Sequence, residues 1–222
     1  MSDAAVRKIA AMFPGRWDRN YVAAKLRTDP LYVTLTENLR DSDLPLLDLG
    51  CGLGLLALFL RAEGIDVPIL GLDYDSRKID SARRATVSSN LQGLEFSHHD
   101  ARTGLPAHQG NVSILDILQF FTPDEQETLL KLAASRVAPG GKLIIRSGLR
   151  DATWRFKITV LGDWLAKATF WMKAAPTYYP AADDFLRILG QFGTVEVSPL
   201  WGNTPFNNHL IVLTRSTLPA NQ

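Results

Sequence analysis

In the stretch "LLDLGCGLGLL", residues 46–56, glycines stand at 50, 52 and 54 directly after an apolar run, and Asp48 lies two residues before the first of them. Glycines at a strand-to-helix turn clear side chains from the carboxyl edge of a parallel sheet, where a ligand then meets backbone N–H groups and the positive end of a helix. Asp73 closes the next apolar run, "PILGLDYD" (68–75), 23 residues after Gly50. A carboxylate there can accept two hydrogen bonds from a vicinal diol, the group that a ribose presents. Turn and acid together read as a grip on a nucleoside. The spacing departs from that of a nicotinamide-dinucleotide turn, because Leu55 stands three residues after Gly52, where a small residue is needed. The Gly-Lys-Ser/Thr ending of a phosphate loop is absent as well.

Each of these residues also has a plainer reading. Gly54 reads as close helix–sheet packing, and Gly50 and Gly52 as ligand-facing. Asp48 either caps local backbone amides or touches the ligand. Cys51, the one cysteine of the chain, is a small side chain that fits inside the turn, and it is read as inert. His98 and His99 adjoin a strand end, but neighbours on a strand point to opposite faces and no further ligand falls at metal spacing, so no metal site is expected.

The elements that must hold these residues follow from the pattern of the chain. "PLLDLG" (45–50), "PILGLDYD" (68–75), "NVSILDI" (111–117) and "GKLIIRSG" (141–148) read as buried strands. Residues 53–64, 75–90 and 122–141 have helical spacing, the last with Thr122 as N-cap, Pro123 at the first position and Pro139-Gly140-Gly141 as a stop. Strand and helix in alternation imply a doubly wound, Rossmann-like α/β sheet, mostly parallel and covered on both faces. After Gly148 the alternation lapses for about thirty residues and resumes with a helix near 181–190. "TVEVSPLW" and "HLIVLTR" then flank a turn-rich "GNTPFNN", which predicts a C-terminal antiparallel hairpin.

The ordered set "LLDLGCGLG", "LGLDYD", "HHDAR", "ILDILQFF" and "VAPGGKLII" resembles the class I S-adenosylmethionine-dependent methyltransferases, by motif over residues 44–148 and by topology at the terminal hairpin. The resemblance implies S-adenosylmethionine as cofactor. It implies that Asp48, Gly50, Cys51 and Gly52 line the methionine and ribose portion, that Asp73 binds the ribose hydroxyls, and that Tyr74 flanks the adenine. Asp100 would accept from the adenine amino group and Ala101 would offer a backbone N–H. Leu115 and Asp116 would end the fourth strand beneath the sulfonium, and Gln119 would face the region of methyl transfer. Where many members carry a histidine, Gln119 and Phe120 stand. Residues 1–43 are expected to form an N-terminal helical cover, with Tyr21 and Lys25 one helical turn apart and available to the site. Residues 44–222 then form the methyltransferase domain, with an aromatic helical insertion at 149–180. Tyr21, Lys25 and Gln119 are the candidates for a catalytic role.

The segment 146–173 holds three of the five tryptophans. Trp154, Ile158, Leu161, Leu165, Ala168 and Met172 make a stripe at helical spacing, flanked by Trp164 and Trp171, with Phe156 and Phe170 nearby. Arg146, Arg150, Arg155, Lys157, Lys167 and Lys173 against Asp151 and Asp163 give six minus two, or +4. Three compatible readings are a stripe packed on the sheet as a crossover, a roof over a hydrophobic substrate, and contact of 149–173 with an anionic membrane surface. Two helices broken near Gly162-Asp163 also fit the pattern.

A formal net charge of +1 provides no broad cationic field, which speaks against a nucleic-acid binder. One cysteine excludes an internal disulfide framework. The first twenty residues lack the apolar core of a secretory signal, and a cytoplasmic protein is expected. The function expected is methylation of a small hydrophobic, aromatic or acyl-chain-bearing molecule in secondary-metabolite or lipid biosynthesis. RNA or protein methylation by the same fold, or cofactor binding without methyl transfer, are the alternatives; the Asn-Pro-Pro-Tyr-like tetrapeptide of many amino-group and base methylating relatives is replaced by "LDIL" at 115–118.

Overall fold

The computed structural model describes residues 3–168 and 176–217, with side chains described outside 163–168. The chain forms two compact units, one up to Ala101 and one from Arg102. The division falls after the third strand.

The first unit opens with three helices, α1 (Asp3–Ala11), α2 (Arg16–Thr28) and α3 (Leu31–Leu39). β1 (Leu46–Leu49), α4 (Leu55–Ala62), β2 (Ile69–Asp73), α5 (Ser76–Ser88) and β3 (Leu94–His98) follow. The strands run parallel, Leu49 beside Leu72 and Asp73 beside His98. β1 is buried along its whole length and α4 is buried at each of its first six residues, as an unbroken apolar run demands. Arg61 near the end of α4 donates to the carbonyls of Val67 (2.7 Å) and Gly93 (3.1 Å), which ties the entrances of β2 and β3 to that helix.

The second unit contains β4 (Asn111–Leu115), α6 (Pro123–Arg136), β5 (Lys142–Gly148), α7 (Trp154–Ala168), α8 (Ala182–Leu189), β6 (Thr194–Pro199) and β7 (Asn208–Thr214). Thr122 caps α6 reciprocally: its Oγ1 accepts from Glu125 N, and Glu125 Oε2 accepts from Thr122 N at 2.7 Å. β4 and β5 are parallel, whereas β7 runs antiparallel to both β5 and β6. Burial explains which hairpin strand lies inside. β7 buries Leu210, Ile211 and Leu213, while no side chain of β6 is fully buried, so β6 forms the edge. The seven strands make one α/β sheet in the order β3-β2-β1-β4-β5-β7-β6, mostly parallel with the antiparallel hairpin at its C-terminal end.

Two expectations about the insertion are corrected. α7 runs unbroken through Gly162 and Asp163, so the two-helix reading fails there. Trp154 and Leu161 are 58% and 60% exposed, so this end of the stripe is not packed on the sheet. The stripe and flank residues from Trp164 to Lys173 lie outside the described side chains. Arg146 belongs to β5, 3% exposed, and therefore adds nothing to a basic surface.

Candidate active site

The turn after β1 is built from three left-handed glycines, Gly50 (φ 76), Gly52 (φ 56) and Gly54 (φ 73), a conformation that strains any L-residue. The N–H groups of Gly50 and Cys51 both donate to the Leu72 carbonyl, at 2.7 and 3.0 Å. Asp73 holds the rest of the turn: Gly52 N donates to its Oδ2 at 2.9 Å and Asp75 N to its Oδ1 at 2.8 Å. Two backbone donors thereby fix the carboxylate, and each oxygen retains acceptor capacity beyond these bonds.

Gly52 and Gly54 differ in purpose. A Cβ on Gly52 would have no heavy atom within 4 Å, whereas one on Gly54 would strike the Phe96 ring at 2.6 Å. Within β2, Gly71 answers to the same ring and to Cys51 Sγ, which a Cβ would meet at 2.6 and 2.9 Å. The Cys51 thiol is thus turned inward. Burial, reinforced by the negative charges of Asp48 and Asp73, pushes its pKa up and keeps it a neutral thiol rather than a nucleophile.

The residues predicted around this turn gather along one edge of β1, β2 and β3. Asp48 is buried in β1. Tyr74, 42% exposed, follows Asp73, and its carbonyl is bonded to His98 Nε2 at 2.9 Å. His99 N donates to the Asp73 carbonyl at 3.0 Å, which sets the exit of β3 beside that of β2. Asp100 and Ala101 follow, Ala101 opening a short 3-10 turn. A fixed carboxylate, open space at Gly52, a half-exposed aromatic ring and a second acid fit a nucleoside with a vicinal diol. On α2, Tyr21 stacks on Trp17 with ring centroids 5.8 Å apart, and Lys25 pairs with Asp29 at 3.3 Å.

In the second unit, the exit of β4 is held by an ion pair. Asp116 follows Leu115 at φ 59, and its N–H donates to the Arg146 carbonyl at 3.0 Å. Arg146 reaches across from β5 with both ends of its guanidinium, Nε to Asp116 Oδ1 at 2.7 Å and a terminal nitrogen to Oδ2. Gln119 is buried, and its side-chain amide donates to the Asp116 carbonyl at 3.1 Å. The Gln119 carbonyl accepts from Thr177 N (2.6 Å) and Tyr178 N (3.2 Å), and Gln126 Nε2 donates to the Tyr178 carbonyl at 3.0 Å. Arg150 N donates to the Pro180 carbonyl at 2.9 Å. The returning end of the insertion is therefore fastened to the turn 118–120, and its starting end at Arg150 is tied to that same returning segment. Phe156 and Tyr179 meet edge to face at 5.3 Å there.

A family model described as a methyltransferase domain matches residues 46–141, which takes in the glycine turn, Asp73, Asp100 and the exit of β4. Over this stretch, 96 of the 222 residues, the chain is similar to methyltransferase domains. A ribosomal protein L11 methyltransferase of Burkholderia vietnamiensis is 31% identical over 99 residues, 45% of this chain and 30% of its own length. A trans-aconitate 2-methyltransferase of Methylobacterium radiotolerans is 30% identical over 124 residues, 54% of this chain and 45% of its own. The chain spans less than half the length of these curated relatives. The crystal structure of magnesium protoporphyrin IX methyltransferase from Synechocystis PCC 6803 with bound SAH shares the fold, with a TM-score of 0.67 at 18% identity over 96% of this chain and 94% of that one.

The sequence pattern misses the residues that act on others. Gly71 has a legible signal, a glycine inside a strand pattern, which marks close approach. Arg146 has none, since its partner lies 30 residues earlier in the chain. Gln126 and the 176–180 segment are equally silent, because their contacts depend on where the insertion returns.

Proposed function

We propose that this chain is a methyltransferase that transfers the methyl group of S-adenosylmethionine to a small hydrophobic, aromatic or acyl-chain-bearing acceptor. The observation that carries this reading is the aromatic insertion fastened to the turn after β4, with Phe156, Tyr178 and Tyr179 beside it. Such a wall suits a flat or greasy molecule and excludes water from it. The similarity to a trans-aconitate and a magnesium protoporphyrin IX methyltransferase supports a small-molecule acceptor.

For the cofactor, Asp73 is assigned to the ribose hydroxyls, the backbone of Gly50, Cys51 and Gly52 with Asp48 to the methionine and ribose portion, Tyr74 to the adenine face, and Asp100 with the Ala101 N–H to the adenine edge. Leu115 and Asp116 rest on the resemblance alone. S-Adenosylmethionine supplies a methyl group already activated by the sulfonium. The chain then has to align the acceptor and keep water out. Gln119 is poorly suited as a base, since a primary amide does not take up a proton near neutrality and its donor is committed to Asp116. This favours a phenol or carboxylate acceptor, for which positioning suffices. Tyr21 and Lys25 stay the candidates for any proton transfer.

The similarity to ribosomal protein L11 methyltransferases favours a second reading, methylation of a protein. Incubation with methyl-labelled S-adenosylmethionine and a cell extract separates the possibilities. Label is expected in the organic-solvent fraction. Label in protein or RNA would overturn the small-molecule reading, and cofactor binding without any labelled product would mark a binder that delivers no methyl group.

A further inference from the structure

We propose that α7 and the 200–207 loop form a face that seats this protein on an anionic lipid surface. Trp154 and Leu161 stand seven residues apart on α7 and so project from one face, with Lys157 and Ile158 between them. Phe206, 37% exposed, joins them from the loop; a Cβ on Gly162 would meet its ring at 2.9 Å, so ring and helix are in close contact.

The loop is locked to the helix. The Arg155 guanidinium lies between the Trp154 and Trp201 rings, 4.9 and 4.5 Å from their centroids, and donates to the Thr204 carbonyl at 2.6 Å. Asn207 N donates to Thr159 Oγ1 at 2.7 Å, and Asn207 Nδ2 to the Leu149 carbonyl and Asp151 Oδ2 at 2.8 Å each. These exposed apolar groups are therefore held outward on a fixed frame.

Charge selects the occupant. Residues 149–162 carry Arg150, Arg155 and Lys157 against Asp151, three minus one or +2, and the loop "LWGNTPFN" carries no charge. The single acid is engaged by Thr153 and Asn207. Trp, Leu and Phe suit the boundary between headgroups and acyl chains, and the neighbouring cations suit lipid phosphates. A second copy would bring the same positive charge against itself. Among the described residues no helix is long and apolar enough to cross a membrane, so the contact is one of lying on the surface.

Co-sedimentation of the full chain with phosphatidylcholine vesicles and with mixed phosphatidylcholine–phosphatidylglycerol vesicles tests this, and needs no cofactor. Binding is expected only to the anionic vesicles, and is expected to weaken as salt rises. Leu161→Glu should lower the partition by about tenfold, and Lys157→Glu should lower it as well, because both changes oppose the apolar and electrostatic terms. Both side chains are exposed, so thermal melting and S-adenosylmethionine binding should stay at wild-type values. No sedimentation with anionic vesicles, an equal partition of wild type and Leu161→Glu, or a concentration-dependent dimer dissociated by Leu161→Glu would each overturn the proposal. Loss of methyl transfer would bear on the acceptor reading and leave this one intact.

Discussion

Asp116 shows how one residue can be held in a conformation that its own backbone disfavours. A non-glycine residue at φ 59 stores strain of about 1–2 kcal/mol, which persists only because the surroundings over-determine it. Arg146 does so twice, through its carbonyl and through a two-pronged guanidinium contact. The two ends of the pair sit differently: the Arg146 side chain is 4% exposed and that of Asp116 37%. Removal of Asp116 therefore deprives a buried cation of its carboxylate, while removal of Arg146 leaves an acid that water reaches. Asp116→Ala is expected to cost more than Arg146→Met, about 3 kcal/mol against about 2 kcal/mol, in denaturant unfolding. In a double-mutant cycle the pair should couple by about 1–3 kcal/mol, and additive losses would show that it does not hold this turn.

The turn between β1 and α4 separates two demands that the sequence presents as one glycine pattern. Gly54 meets a ring and Gly52 meets open space. Gly54→Ala should therefore destabilise the fold by about 2–4 kcal/mol, the sum of backbone strain and overpacking against Phe96, and leave cofactor affinity close to wild type in the folded fraction. Gly52→Ala should cost only about 1 kcal/mol of strain and yet weaken S-adenosylmethionine binding at least tenfold, because its methyl group enters space assigned to the ligand. Denaturant unfolding and calorimetry on the two variants check this split, and equal effects on both quantities would contradict it. At this scale the sequence was legible wherever an element is buried throughout. β1, β2, β4 and β5 read as apolar runs, and the Thr122–Glu125 cap marks the start of α6 to the residue. β3 was not legible by pattern, since only Phe96 of its five residues is buried, and its exit was reached through the "HHDAR" resemblance. α7 announced its helical period, but a period fixes which residues share a face and says nothing of what covers that face.

At the scale of the whole chain, a ligand that binds the folded state adds stability by mass action, whatever contacts produce the affinity. At about 100 times its dissociation constant, S-adenosylmethionine contributes about 2.7 kcal/mol. For a chain of 222 residues, each kcal/mol raises the midpoint by about 2–4 °C, so a rise of about 5–11 °C is expected in the transition that unfolds β1, β2 and β3. The demethylated cofactor should give a rise of similar size, because it keeps the nucleoside that Asp73, Tyr74 and Asp100 are assigned to hold. A nicotinamide dinucleotide should give none, since the third small residue of its turn is replaced by Leu55. Asp73→Ala separates binding from folding: Gly52 N and Asp75 N lose their shared acceptor, which lowers the ligand-free midpoint by a few degrees for about 1–2 kcal/mol, and the cofactor-induced rise should vanish. A variant that melts early but still gains the full rise would mean that the carboxylate only braces the glycine turn. In that case the ribose is gripped elsewhere on this edge.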